Sequence, residues 1–482
     1  MNTTTTPRRA LSLRALPWLP VVALALSAAP ASAEDAPPDA PAAASDVPNI
    51  EFEAYKLDNG LEVILHRDPA APQVAVNLWY HVGSGDEEPG KSGFAHLFEH
   101  MMFQGSKHTG VDVHFPILEE LGADDVNGTT NSDRTNYYEV VPREHLETAL
   151  WLESDRMGYL LDSLTEASFR NQVDVVRNER RQRYDNTPYG AARFAIAKLL
   201  YPEGHPYRYL TIGLHEDLDK ASLEDVRSFF KHWYVPSNAT LVLAGSFDVA
   251  QAKALVQKWF GSFPKIDKPA RKPVAAVTLS ETQKLDVPDP FAKLPQEDWV
   301  WPAPGELAEG SFELGALAEV LGANGWGRLY QRLVVKEPLC AVVAAYHDAR
   351  QDTGEFHVIA RLKPGADRAR VEAILREELQ RAIDTPVTAE ELHRVVLSTE
   401  SDFIWGLAEV GDRADQLQWF NHYAHDPGYA AKYLERLRAV TPESIQAAAK
   451  AWLDKPHVEV VSVPKAAGPP GGDAGGDDGG EK

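Results

Sequence analysis

The sequence predicts an α+β fold made from one domain repeated twice, and three observations predict it. Ser222-Leu-Glu-Asp-Val-Arg-Ser-Phe-Phe-Lys-His-Trp-Tyr matches Thr441-Pro-Glu-Ser-Ile-Gln-Ala-Ala-Ala-Lys-Ala-Trp-Leu at a constant offset of 219 residues, with Glu224/Glu443, Lys231/Lys450 and Trp233/Trp452 coinciding. Each segment opens with a helix N-cap hydroxyl, Ser222 or Thr441, and leads into a β-rich run, Thr240-Leu-Val-Leu-Ala or Val458-Glu-Val-Val-Ser-Val. Strands and helices also follow one another in unequal order, which argues against a doubly wound parallel sheet.

The elements then follow in order. Residues 1–33 read as a signal peptide: Arg8, Arg9 and Arg14 make a basic start, Leu16 to Ala29 an apolar stretch, and Ala31-Ser32-Ala33 a small-residue cleavage site. An exported protein, periplasmic or secreted, is expected, by either the Sec or the twin-arginine route. Residues 34–47 are an Ala/Pro/Asp-rich flexible leader. The first domain, 48–264, begins with the turn Leu57-Asp-Asn-Gly-Leu, then the strands Glu62-Val-Ile-Leu-His and Val74-Ala-Val-Asn-Leu-Trp-Tyr, then long helices. Prolines and lysines mark a linker over 265–295, within a stretch that also holds an entry strand. The second domain covers 296–465, and 466–482 is a Gly/Asp tail.

A 482-residue chain with 44% apolar and 25% charged residues has the composition of a soluble globular protein. No internal apolar run reaches the roughly 20 residues that span a bilayer, so stable membrane insertion is not expected. Loss of the leader takes three arginines and no acid, moving the formal charge from -23 to -26 and excluding nucleic acid as a partner. Cys340 is the only cysteine, which rules out an internal disulfide framework; stability must come from packing and metal.

The chemistry lies in Gly93-Phe-Ala-His96-Leu-Phe-Glu99-His100-Met-Met-Phe103. On a helix His96 and His100 share one face, placed to coordinate one zinc ion, and Glu99 projects beside them as a base for a water that the metal acidifies. The apolar flanks make this a mostly buried helix, where two histidines and a glutamate need compensation. Two histidines leave a tetrahedral site one protein ligand short if water takes the fourth position. Downstream, Phe169, Val173 and Val176 form a helical stripe whose next position is Glu179. Arg177, Arg180 and Arg181 surround it, so the residues alone allow either a metal ligand or the acid of a salt bridge.

The inverted His-x-x-Glu-His motif resembles that of the pitrilysin/insulinase family of zinc metallopeptidases, the inverzincins. The resemblance runs from about Phe52 to Val463 and includes Gly83-Ser-Gly-Asp-Glu-Glu, Phe103-Gln-Gly-Ser, Asn127-Gly-Thr-Thr, Thr135-Asn-Tyr-Tyr, Trp151-Leu-Glu-Ser-Asp-Arg-Met and Asn178-Glu-Arg-Arg-Gln. It implies two homologous mixed-sheet domains with helices on one face of each sheet. It also implies one zinc ion per chain on His96, His100 and Glu179, Glu99 as catalytic base, and peptides or unfolded polypeptide segments as substrates of an endopeptidase. Asn127, Gly128, Thr129 and Thr130 match the family's edge strand that binds substrate by strand addition.

Two positions depart from the family pattern. Gln172 stands where many relatives have a second glutamate supporting the site. Val334 and Ala341 stand where many carry an arginine and a tyrosine that hold substrate and stabilise the oxyanion. The resemblance therefore implies either a second family subunit that supplies this Arg/Tyr pair, as in relatives of the mitochondrial processing peptidase type, or a homodimer. The alternative function is a non-catalytic scaffold or peptide-binding subunit.

Overall fold

The strand-forming runs of the first half include three with continuous apolar stretches, Val63-Ile-Leu, Val74-Ala-Val and Leu241-Val-Leu-Ala, as the centre of a sheet requires when both its faces are covered. In the computed structural model, which describes residues 50–272 and 274–465, they are β1 (Glu53–Lys56), β2 (Glu62–Arg67), β3 (Gln73–Tyr80), β4 (Asp124–Thr130), β5 (Thr135–Pro142) and β6 (Ala239–Gly245). They form one sheet in the order β1-β2-β6-β3-β5-β4. A second sheet is built from β7 (Gln283–Asp289), β8 (Gln296–Pro304), β9 (Cys340–Ala349), β10 (Thr353–Leu362) and β11 (Val458–Pro464), in the order β7-β11-β8-β10-β9. Without β1 the two orders coincide strand for strand. Both sheets are mixed: β2 runs parallel to β6 and β7 to β11, and the other pairs are antiparallel. The stretch read as a linker thus contains an edge strand of the second sheet. The expected signal peptide, leader and Gly/Asp tail lie outside the described residues.

In the first half the helices that position the site are α1 (Phe94–Met101), α2 (Leu146–Ser163), α3 (Glu166–Arg180), α4 (Gly190–Leu200) and α5 (Leu223–Trp233). The second half has α6 (Ser311–Gly322), α7 (Arg368–Asp384), α8 (Ala389–Trp405), α9 (Val410–Ala424) and α10 (Pro442–Trp452). Ser222 and Thr441 cap the repeat helices α5 and α10, each side chain accepting the backbone N–H three residues on. Strand alternation sorts the layers: Val74, Val76, Leu78 and Tyr80 of β3 enter one core with α1, α2, α3 and α5, and Ala75 faces the other way. An equivalent core joins the second sheet to α6, α7, α8 and α10.

The opposite face of each sheet is covered by a helix from the other half, a feature that the repeat alone does not reveal. Val410, Ala414 and Leu417 of α9 pack on Ile64, Ala75, Val242 and Ala244 of the first sheet, and Ala192, Ile196 and Leu200 of α4 pack with Val300, Val458 and Val460 of the second. These two helices occupy corresponding places in the repeat. Under α9 the seam is polar: Gln418 Nε2 donates to the carbonyls of Asn77 (2.8 Å) and Thr240 (2.7 Å), and His422 Nδ1 lies 2.8 Å from His81 Nδ1 with the rings stacked.

That histidine pair makes the seam acid-sensitive. Burial, then neighbouring cations, pull His81 down to about 3, and burial holds His422 well below the usual imidazole range. An unfolded chain takes up these protons near pH 6.5, whereas the folded one does not until far lower. Stability is therefore fully present above pH 6.5 and is lost as the pH falls toward 3. From pH 7 to pH 5 His81 alone should cost about 2 kcal/mol. Urea midpoints at the two pH values, compared between the parent and His81→Gln, isolate the effect; equal pH slopes in both would contradict it.

Candidate metal centre

The helix that carries the motif is held at its start by an acid. Glu87 accepts from the backbone N–H groups of Gly93 (3.0 Å) and Ala95 (2.8 Å), satisfying orphan donors at the N-terminus of α1. Asp86 beside it accepts from Gly83 N–H at 3.0 Å, so the run Gly83-Ser-Gly-Asp-Glu-Glu serves to seat this helix. Phe94, Leu97, Phe98 and Met101 anchor α1 in the first core. His96, Glu99 and His100 consequently face the only remaining side, toward α3 and β4.

Across the gap, α3 presents Glu179. Its Oε2 lies 3.3 Å from His100 Nε2 and 3.7 Å from His96 Nε2. Donor atoms on one tetrahedral zinc, each bound at about 2.0–2.2 Å, stand about 3.4 Å apart. Both separations also lie within the roughly 4 Å reach of an ion pair, so the spacing is compatible with Glu179 as a third ligand beside the two histidines and, equally, as their ion-pair partner. Glu179 Oε1 is held separately by Arg183 at 2.8 Å, one turn on, where α3 passes into the π-helical segment Arg181–Asp185. None of the three arginines that the sequence set around Glu179 engages it: Arg177 pairs with Asp219, Arg180 with Asp185 and the Gly213 carbonyl, and Arg181 with Asn178.

Glu99 also lies close to the two histidines, but its carboxylate has another tie: Thr130 Oγ1 donates to Oε2 at 2.6 Å. Burial, aided by the charge of Glu179, raises the Glu99 pKa in spite of that hydrogen bond. His96 falls to about 4, chiefly through burial, and so offers a neutral ring. Burial opposes charge on His100 too, but Glu179 and Glu99 outweigh it and raise its pKa. Glu179 is lowered, burial being outweighed by both histidines and Arg183. His96 Nδ1 is buried without a hydrogen-bond partner. Gln172 is buried about two turns before Glu179 on the same face of α3 and its side chain assists the charged form of His100, so an amide sits where the pattern has a carboxylate.

The four residues Asn127 to Thr130 close β4, an edge of the first sheet beside α1. Gly128 is buried against Phe103 and Tyr137, and a Cβ there would stand 3.1 Å from both rings. Asn127 is exposed and accepts from Gly128 N–H. Arg134 donates to the Thr129 carbonyl at 2.9 Å, and Asn136 accepts from Thr129 N–H at 3.2 Å. The Thr130 hydroxyl turns toward Glu99, a role that its place in a strand motif did not indicate. Beyond Thr130 a cavity of about 740 Å³ opens between the halves, reaching Tyr346 and Arg350 of the second.

At the place of α1 in the second half, α6 reads Ser-Phe-Glu-Leu-Gly-Ala-Leu-Ala-Glu-Val-Leu-Gly and carries no histidine. Val334 packs against the second core and Ala341 is exposed on β9. Two mixed-sheet domains of one strand order, one carrying an inverted histidine motif faced by a carboxylate, define a two-domain protein of metallopeptidase-like architecture.

Family comparisons agree. A family model described as insulinase, peptidase family M16, matches residues 62–194, and one described as the peptidase M16 inactive domain matches residues 220–398. The chain belongs to the pitrilysin/insulinase family. It is 27% identical over 383 residues to the zinc protease PqqE of Helicobacter pylori, covering 76% of this chain and 82% of that one. It superposes on the crystal structure of a protease from Helicobacter pylori with a TM-score of 0.80 at 25% identity, over 86% of this chain and all of the other. The periplasmic protease PqqL of Escherichia coli shares the fold, with a TM-score of 0.71 at 20% identity over 87% of this chain and 48% of that one. No helix among the described residues is long and apolar enough to cross a membrane.

Proposed function

We propose that this chain is an exported zinc-dependent endopeptidase that hydrolyses peptides or unfolded polypeptide segments, with His96, His100 and Glu179 holding one ion and Glu99 as the base. The observation that carries the reading is a three-donor set at metal-ligand spacing beside a buried carboxylate tied elsewhere. A zinc ion there would supply Lewis acidity toward a water and a scissile carbonyl. Glu99, its pKa raised by burial, takes a proton from the attacking water and passes it to the leaving amine. Because Thr130 occupies Oε2, Oε1 is the oxygen left for that transfer. The edge strand β4, through Asn127 to Thr130, receives an extended substrate, which takes the places of Arg134 and Asn136 on the Thr129 backbone.

No arginine or tyrosine stands at 334 or 341, so the oxyanion lacks those donors from this chain. A second family subunit carrying the Arg/Tyr pair completes the site; a homodimer would bring Val334 and Ala341 again and would have to supply other donors. The periplasmic neighbour supports export, as does the basic, apolar, Ala-Ser-Ala start of the sequence. The test is peptide cleavage by the purified chain, with and without candidate partner chains, and with metal content measured on the same samples. About one zinc per chain, with cleavage lost to a chelator and regained with zinc, is the expected result. A chain that binds no metal would instead leave the scaffold reading in place.

Thr130→Val should slow turnover by about 10- to 100-fold, the worth of one hydrogen bond to a charged group, with little change in KM. Thr130→Ser should restore it. A valine variant at full rate would show that Thr130 does not orient the base.

A further inference from the structure

One arginine on the segment between the halves gathers three carboxylates. Arg271 Nε donates to Asp86 Oδ1 at 3.0 Å, Nη1 donates to the Gln351 side chain, and Nη2 lies 3.7 Å from Asp133 Oδ1 and 3.8 Å from Asp352 Oδ2. Among the described residues no other cation is within ion-pair distance of these three acids. The Asp86 and Asp133 side chains are only 3% and 1% exposed, so without the guanidinium two buried charges would face each other uncompensated. Asp133 has other donors: Tyr207 Oη at 2.8 Å, Gln351 N–H at 2.9 Å and Tyr423 Oη at 3.3 Å. Asp86 has only Gly83 N–H besides Arg271, and burial raises its pKa while Arg271 opposes the rise.

Asp86 and Asp133 belong to two loops that serve the metal centre from different sides. Asp86 closes the turn whose next residue, Glu87, accepts from the first N–H groups of α1. Asp133 lies in the hairpin between β4 and β5, just past Thr130, whose hydroxyl donates to Glu99. The loops touch along their backbones: Ser84 N–H donates to the Asn131 carbonyl at 3.0 Å and Gly85 N–H to the Ser132 carbonyl at 2.8 Å. A Cβ on Gly83 would stand 2.4 Å from the Asn131 oxygen, so the approach leaves no room for a side chain. Arg271 clamps this junction through one acid from each loop, and it ties both to Gln351 and Asp352 of the second half.

We propose that Arg271 is a positioning residue for the metal centre: by holding Asp86 and Asp133 together it fixes the seat of α1 against the hairpin that carries Thr130, and so the place of Glu99. The consequence for turnover rests on the peptidase reading above, but the seat itself can be measured without catalysis. Amide hydrogen exchange on the purified chain, stripped of metal by chelation, should rise at least about tenfold in Arg271→Gln over residues 94–101 and 130–135 and stay at the parent level over α5 in the same half. In the zinc-loaded chain the same change should lower kcat about 10- to 100-fold with KM within about twofold, the signature of misplaced reacting groups. Arg271→Lys, which keeps a cation between the acids, should recover much of the loss, and Lys272→Gln, its exposed neighbour, should match the parent. Because the effect runs through Thr130 and Glu99, Arg271→Gln should slow a Thr130→Val chain by less than about threefold. Should Arg271→Gln not fold, Asp86→Asn, which keeps an acceptor for Gly83 N–H, is read in the same way. Three results would overturn the proposal: exchange unchanged at α1 and the hairpin, exchange raised equally in α5, or the full loss of kcat repeated on the Thr130→Val background. A parent chain that cleaves no peptide would count against the peptidase reading alone and leave the exchange rates to decide the role of Arg271.

Discussion

Replacing Glu99 by glutamine is expected to lower peptide turnover by about 10²–10⁴-fold while the metal stays bound, the range that a positioned proton-transfer group contributes. Glutamine keeps the size of the side chain and can still accept from Thr130, whose hydroxyl lies 2.6 Å from the present carboxylate, so the fold and the three donors should be undisturbed. What it removes is the proton-accepting oxygen beside His96 and His100. Single-turnover rates with zinc measured on the same preparation give the answer. A variant that loses metal along with activity would instead make Glu99 a ligand, and one that cleaves at the parent rate would remove it from the chemistry.

The second large effect concerns Glu179. Glu179→Ala leaves His96 and His100 alone to hold an ion, and the zinc affinity should fall by more than the 10- to 100-fold typical of losing a supporting residue. Arg183→Ala, which frees Oε1 without touching Oε2, should fall within that smaller range. Competition with a chelator of known affinity ranks the three proteins. If Glu179→Ala held zinc as tightly as the parent, the third ligand would have to be Glu99, the other carboxylate within reach of both histidines.

Much of this site is legible in the order of the residues. His96, Glu99 and His100 lie within about one helical turn, so the 3.6-residue period alone puts the histidines on one face. Glu179 was suggested by its stripe with Phe169, Val173 and Val176, three residues that are all buried, but the same stripe was equally compatible with a salt bridge. The geometry shows features of both: Oε2 faces the histidines and Oε1 pairs with Arg183, a residue outside the group that the sequence singled out. Thr130 was read as part of an edge strand. Its hydroxyl acts on Glu99 because β4 runs beside α1, and no local pattern records that adjacency.

By itself the sequence determined the repeated α+β domain, the capped repeat helices and the helix that bears the inverted motif, because each depends on residues a few positions apart or on a period repeated along the chain. Only the tertiary structure decided which oxygen of Glu179 turns to His96 and His100, what restrains Glu99, and that α4 and α9 each cover the sheet of the other half. It also decided that His81 and His422, 341 residues apart, stack in one buried seam. These are contacts between elements whose separation along the chain carries no information about their distance in space. They are fixed by the packing of apolar faces around two cores, which places polar groups beside one another without any local signal in the sequence.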